Sequence, residues 1–275
     1  MRLFYYIHDV GNFGDELSPV IVGKLLGREF ATIAKPEIRR RRRNEKFLFA
    51  LGSIFQFVQD GDVLWGTGVN LNRKNPKTMN RLDIRAVRGP LTRDFIINNY
   101  GLPCPEIYGD PALLLPRLFP ELKPNPIRKY AIIPHGADNE FFKDSENVIL
   151  PTAGWPKVLA HILESELVIS SGLHGIILAE AFGIPARWLR HESLPSYNTE
   201  GIFKYNDYYL STNREPNDWA PTVEDALRLK GQSPIKKDFT SLADAFPKDL
   251  FSVKKQIVSG FTRWLDRMVF LLKRY

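Results

Sequence analysis

Three short stretches hold the residue types that grip a small anion or a hydroxyl-rich ligand. The first, Ser170-Ser171-Gly172-Leu173-His174-Gly175, joins small hydroxyls, free amides and one imidazole. An apolar run suited to a buried strand precedes it, and one suited to a buried helix follows. Amides at a helix start favour phosphate, and an imidazole can hand over a proton. In the second, Arg85, Arg88 and Arg93 surround Gly89-Pro90. An arginine between a strand and a proline-initiated helix adds a bidentate cation to helix-end amides, good chemistry for phosphate or carboxylate. The third runs from His8 through Gly11, Asn12 and Asp15 to Glu16. Its glycines allow close approach, and Asn12 and Asp15 can orient a hydroxyl. Asp15 and Glu16 already occupy the field of the following helix, so a sugar fits there better than a nucleotide phosphate. Each stretch also has a plainer reading: a capping or core histidine, surface salt bridges, and simple helix caps.

These stretches need strands ahead of them and helices behind. Apolar runs at 3–7, 47–51, 63–65 and 84–87 predict strands, and 18–26 and 90–98 predict helices, the first capped by Ser18 and Pro19. Four prolines, Pro116, Pro120, Pro124 and Pro126, predict a linker. Beyond it the rhythm resumes, with strands expected at 130–134, 148–150, 167–170 and from 186, and helices at 155–165, 176–182 and 222–229. Short strands alternating with helices predict an α/β fold with parallel sheets, and ligand sites there lie at the C-terminal strand ends. The expected domains are 1–120, 121–235 and a basic amphipathic helical tail, 236–275. In that tail Ile257, Phe261, Trp264, Leu265, Met268, Leu271 and Leu272 form one apolar stripe. Packing on its own domain, lying on an anionic membrane through residues 254–275, and contacting a second copy all fit that pattern.

Composition excludes several classes. With 275 residues, 44% hydrophobic and 25% charged, the chain can build a core and is not disordered in bulk. A single cysteine, Cys104, excludes an intrachain disulfide and a thiolate zinc cluster. No HExxH or CxxC occurs, and Asp138 and Glu140 near His135 read better as solvated charge, so no metal is expected. GxGxxG and Walker patterns are absent too. No apolar stretch reaches the length of a membrane span, and no leader pattern is evident, so a cytoplasmic protein is expected, with the inner membrane face as its docking place if the tail binds lipid. The net charge of +7 favours anionic partners. Arg39 to Arg43 should face solvent because like charges repel, and nucleic acid is not expected, since no zinc finger, basic zipper or RNP-like pattern accompanies them.

The ordered set GNFGDEL (11–17), AVRGPLTRD (86–94), YGDPALLLP (108–116) and LVISSGLHGIILAEAFGIP (167–185) resembles the polysaccharide pyruvyl transferase family, most closely its shorter exopolysaccharide-type ketal transferases. The resemblance spans about residues 3–190. It implies two Rossmann-like domains facing across a cleft, similar to GT-B glycosyltransferases, with the first half on the acceptor side and the second on the donor side. It further implies transfer of the pyruvyl group of phosphoenolpyruvate to a hexose, forming a cyclic ketal, on an acceptor carried by polyprenyl diphosphate. Phosphoenolpyruvate is then a substrate, and no cofactor is implied. His174 would contact phosphate and act as acid, and Asp15 would be the base. Arg88, Arg85, Ser170, Ser171, Gly172 and Gly175 would hold the donor. Asn12, Gly11, His8 and Glu16 would shape the acceptor side, and Asp110 would order the loop at the domain junction. Many members carry Arg where Gly172 stands; a donor clamp is then missing, or Arg187, Arg190, Arg85 or Arg93 replaces it. Two rival functions fit the same residues: a nucleotide-sugar glycosyltransferase with Glu180 on the ribose, and a non-catalytic scaffold of polysaccharide assembly.

Overall fold

The computed structural model describes residues 1–7, 10–28, 32–33, 41, 45–232 and 238–251. Five parallel strands form the first sheet, in the order β2-β1-β3-β4-β5: β1 (Arg2–Phe4), β2 (Thr32–Ile33), β3 (Phe47–Phe49), β4 (Val63–Trp65) and β5 (Asp83–Ala86). Four more form the second, in the order β6-β7-β8-β9: β6 (Ala131–Ile133), β7 (Val168–Ser170), β8 (Ala186–Leu189) and β9 (Trp219–Ala220). β3, β4, β6, β7 and β8 are buried at every residue, as expected where helices cover both faces of a parallel sheet. The longer helices are α1 (Phe13–Leu26), α2 (Pro90–Tyr100), α3 (Trp155–Leu163), α4 (Leu173–Ala181), α5 (Phe203–Ser211) and α6 (Val223–Leu229). Two Rossmann-like α/β halves result, in a coarse GT-B-like arrangement.

Helix α1 departs from the sequence expectation in a way that matters for the site. It begins at Phe13, not after Ser18. Asn12 caps it, its side chain accepting the Gly14 amide at 2.9 Å. Pro19 therefore lies inside the helix and offers no N–H to the carbonyl of Asp15 four residues back. Ser18, buried, accepts the Leu51 amide instead of capping. Residues 148–150 do not form a strand: only a bridge between Val148 and Ile132 is made. α4 begins at Leu173, inside the expected turn, and α5 and β9 were not expected at all.

The two halves share one core. Leu17 and Ile21 of α1 pack in the same cluster as Trp155 and Ile162 of α3 and Ile176 of α4. Each such side chain fully removed from water contributes about 1.5–3 kcal/mol. A polar contact reinforces the seam: Glu16 Oε2 accepts the Trp155 amide, the first of α3, at 3.0 Å. Residues 238–251 return to the first half, where Trp65 Nε1 donates to the Leu242 carbonyl at 2.8 Å and stacks edge-on against Phe246.

Two expectations about charge meet the structure differently. Of the Arg39 to Arg43 run only Arg41 is described, and it does not face solvent. Its guanidinium donates to fully buried Asp62 at 2.8 Å and lies 4.7 Å from the centre of the Phe47 ring. One carboxylate and an aromatic face compensate the charge of Arg41, which is how this one arginine of the run can be buried. The apolar stripe of 254–275 lies outside the described residues. Among the described residues no helix is long and apolar enough to cross a membrane.

Candidate active site

A cavity of about 610 Å³ opens where the C-terminal ends of both sheets meet. Tyr6 follows β1, Gly52 and Ser53 follow β3, and Arg88 follows β5; Pro134 follows β6, and Gly172 and His174 follow β7. Strand ends are where side chains can converge while the sheets stay packed behind them.

Arg88 sits on the cavity floor, 1% exposed. Its Nε donates to Asp207 of α5 at 3.2 Å, Nη1 to Ser53 Oγ at 2.7 Å, and Nη2 to the Val69 carbonyl at 3.4 Å. Asp207 also accepts the amide and hydroxyl of Thr92, at 3.0 and 2.7 Å. Its carboxyl is raised by burial against the pull of Arg88 and Thr92. A side chain at Gly89 would collide with the Asp207 carbonyl at 2.0 Å, so only glycine lets the two halves close here.

His174 lies at the start of α4, its side chain 18% exposed. A Cβ at Gly14 would stand 2.1 Å from His174 Nδ1, which is why the third stretch needs a glycine there. Nε2 points the other way, 3.6 Å from Asp110 Oδ2. α4 opens with no side-chain cap, leaving its first amides at the cavity edge, and Gly172 has an ordinary extended backbone.

Asp15 keeps some surface in the cavity, and desolvation raises its carboxyl to about 6, with the charges of His174 and Lys204 pulling the other way. Lys204, on α5, is 9% exposed, lines the cavity, and donates to Glu200 at 2.5 Å. Burial lowers its affinity for the proton, and Glu200 opposes this. Glu200 in turn lies 3.7 Å from His135.

The sequence-derived residues therefore divide. His174, Asp15, Arg88, Gly172 and Asn12 line one cavity. Ser170, Ser171 and Gly175 stand behind it: Ser170 Oγ accepts the Gly172 amide at 3.1 Å, Ser171 Oγ donates to buried Asp138 at 2.6 Å, and Gly175 makes room for Ser170. Gly11, at φ +81, and Glu16 form the junction with α3. Arg85 is outside, paired with Asp83 and Asp249. His8 lies outside the described residues. None of the four arginines expected to compensate for Gly172 lines the cavity: Arg187 pairs with Asp218, Arg190 lies over Tyr197, and Arg93 pairs with Glu106. The cations that do line it are Arg73, Lys74, Arg88 and Lys204. Lys204 and Asp207 were missed because both lie in a helix that the sequence did not announce. The aromatic run around them, Phe203, Tyr205, Tyr208 and Tyr209, was the available signal: such a run is buried and takes its polar neighbours with it. Glu180, proposed for a ribose, has both oxygens engaged, by Arg214 and by the Tyr208 hydroxyl, and does not line this cavity. Among the described residues no group of three or more His, Cys, Asp or Glu could hold a metal.

The chain is 29% identical over 221 residues to the uncharacterised protein L143 of Acanthamoeba polyphaga mimivirus, covering 75% of this chain and 72% of that one. It is 29% identical over 228 residues to the succinoglycan biosynthesis protein ExoV of Rhizobium meliloti (strain 1021), covering 76% of this chain and 64% of that one. A solved structure, of the functionally uncharacterised KP1_0663 from Klebsiella pneumoniae, aligns at TM-score 0.43 and 16% identity over 74% of this chain and 88% of that one. Residues 12–193, the span holding the Asn12 cap, the Arg88 turn and the His174 turn, match the family described as polysaccharide pyruvyl transferase, and the chain belongs to that family.

Proposed function

We propose that the protein transfers the pyruvyl group of phosphoenolpyruvate to a hexose of a polysaccharide precursor, forming a cyclic ketal and releasing phosphate. The observation that carries this reading is the convergence, on one cavity, of Arg88 from the first half, His174 and Lys204 from the second, and Asp15 with its raised carboxyl. Phosphoenolpyruvate is compact and carries two anionic groups. Arg88, Lys204 and the first amides of α4 supply cationic and amide partners for a carboxylate and a phosphate.

The chemistry asks for an acid, a base and anion clamps. The acid protonates the methylene carbon of the donor, and positive charge accumulates at C2. One sugar hydroxyl adds to C2 and gives up its proton. A second then displaces phosphate, closing the ring; its proton restores the acid, and the proton taken by the base leaves with phosphate. His174 is the acid in this scheme, and Asp15 takes the hydroxyl proton; a carboxyl at about 6 is ionised at neutral pH yet still basic enough to accept it. Asn12 and Asp15 lie on the first-half wall, where the acceptor hydroxyls would enter. A polyprenyl-diphosphate carrier fits the exposed cations Arg73 and Lys74 at the mouth, and such an acceptor places the protein at the inner face of the cell membrane.

The test is phosphate release from phosphoenolpyruvate with a panel of lipid-linked and synthetic glycosides. The expected product has gained the mass of pyruvate less one water. Binding of a nucleoside diphosphate sugar, with no phosphate release from phosphoenolpyruvate on any acceptor, would overturn the reading.

A further inference from the structure

The donor and acceptor assignments leave one buried group unused. Asp110 is fully buried at the end of the first half, yet its Oδ2 has no hydrogen-bond partner among the described residues. The same holds for Nε2 of His174, sealed from solvent in the second half. A buried polar atom without a partner is costly, about 1–3 kcal/mol in general, and two facing each other at 3.6 Å are one interaction left slightly open. Catalytic hydrogen bonds are often long before substrate binds and tighten afterwards.

The carboxylate is not free to turn elsewhere. Its Oδ1 accepts the Ala112 amide at 3.0 Å, capping the turn Pro111–Leu114, and that turn packs directly on α4. Gly14 stands on the opposite side of the ring, against Nδ1. The imidazole is thus held between the first turn of α1 and the Asp110 turn, with Nε2 sealed against the carboxylate, while the ring still lines the cavity; Nε2, not Nδ1, is its buried unpartnered nitrogen.

We infer that Asp110 is a positioning residue: it fixes the His174 ring with a proton on Nε2 and so leaves Nδ1 to exchange protons with a substrate in the cavity. The acid of the second half is then completed by a carboxylate of the first, and docking of the two halves assembles the working group. An ionised carboxylate only accepts, so Nε2 must donate; the neutral ring therefore rests with Nδ1 bare, takes up a proton there, and as an imidazolium beside Asp110 gives that proton to the donor. The kinetic part of this inference rests on the proposed pyruvyl transfer; the tautomer part does not.

The experiment uses the full chain and the variant Asp110→Asn. Asparagine caps a turn as well as aspartate, so the Ala112 contact and the fold should survive, which a thermal melt within a few degrees of wild type verifies. Its amide can offer N–H to Nε2, which drives the proton to Nδ1. Two-bond ¹H–¹⁵N correlation spectra, with the His174 signal assigned by its loss in His174→Gln, should show an Nε2–H ring in the wild type and an altered tautomer in Asp110→Asn. Turnover should fall by about 10² or more with the donor KM changed less than about threefold; elsewhere an Asp-to-Asn change that keeps geometry but selects the wrong tautomer costs up to about 10⁴. A wild-type ring protonated on Nδ1, or an Asp110→Asn protein with wild-type tautomer and turnover, overturns the inference. If Asp110→Asn melts early, Asp110→Glu, which keeps the charge, should keep the Nε2–H ring; an Nδ1–H ring there also overturns it. An Nε2–H ring that depends on Asp110, in a protein that releases no phosphate from phosphoenolpyruvate, sustains the inference and removes the pyruvyl reading instead. The reverse pattern removes the inference alone.

Discussion

Arg88 and Asp207 meet at 3.2 Å across the junction of the two halves, 1% and 0% exposed. The pair does two jobs at once. It anchors the guanidinium so that its outer edge faces the cavity, and it ties α5 to the start of α2 through Thr92. A buried pair of this kind is weak evidence for stability as a whole, because both charges lose water, but removing one partner leaves the other uncompensated. Asp207→Ala should therefore cost about 3–5 kcal/mol in denaturant unfolding. Thr92→Val, which removes one hydroxyl bond to the same carboxylate, should cost about 1–3 kcal/mol. Equal and small losses for both would show that the junction is held by packing alone.

The raised Asp15 carboxyl makes a pH prediction with a definite sign. Its unfolded value is 3.8 and its folded value about 6, so the folded chain holds this proton more tightly. The contribution to stability is full below about pH 4 and is lost as pH rises through about 6. The change amounts to roughly 3 kcal/mol at most, because the carboxyl keeps some solvent contact. Asp15→Asn should remove this loss: relative to wild type it gains stability between pH 4.5 and 7.5 in urea unfolding, while turnover falls by about 10² or more. An identical pH slope in both proteins would show that Asp15 titrates at its ordinary value.

His174 and Gly14 give a paired prediction. Removing the imidazole in His174→Ala should lower turnover by about 10² or more while the fold persists. Gly14→Ala leaves the imidazole chemically intact but drives a methyl to within 2.1 Å of Nδ1, so the ring must move. Overpacking of this kind costs about 1–3 kcal/mol. Turnover should drop nearly as far as in His174→Ala although no reactive group is lost. Wild-type kinetics in Gly14→Ala would mean that the ring has room to swing and that its position does not matter.

Much of the sheet framework was legible because buried parallel strands announce themselves as unbroken apolar runs. Residues 63–65 and 186–189 fall where those runs predicted. What escaped was set by tertiary contacts. Pro19 read as a helix start, since proline favours the first turn, but the Asn12 cap begins the helix earlier and the protein tolerates one missing rung. Residues 148–150 had the composition of a strand and found a single bridging partner. At the site, the turns carrying His174 and Arg88 could be read from glycine spacing, because glycine marks close approach. For Lys204 and Asp207 the aromatic run signalled burial but not their partners, and the Asp110–His174 contact left no signal, because which side chain of one half faces which of the other is not encoded in any local pattern.

Two glycines in one turn separate backbone freedom from close packing. Gly172 has φ −100 and ψ 133, which any residue adopts, and a Cβ there would meet Pro134 O no nearer than 3.4 Å. Gly172→Ala should therefore change stability little: the unfolded chain loses entropy, worth about 0.4–1 kcal/mol, but Gly172 is the N-cap of α4, where alanine is poorer than glycine by a similar amount. Gly175 lies in the first turn of α4, where alanine gains about 1 kcal/mol of helix propensity over glycine. Yet its Cβ would stand 2.3 Å from Ser170 Oγ and 2.9 Å from Ser170 Cβ, and Ser170 is itself buried and bonded to Ile133 and Gly172. The clash, at about 1–3 kcal/mol, and the broken hydroxyl bonds outweigh the propensity gain. Gly175→Ala should be net destabilising and should weaken donor binding, because Ser170 holds the Gly172 turn in place. Thermal unfolding of the two variants side by side decides the matter: a melt near wild type is expected for Gly172→Ala and a clear loss for Gly175→Ala, and equal losses would mean that the turn is tighter at Gly172 than its contacts indicate.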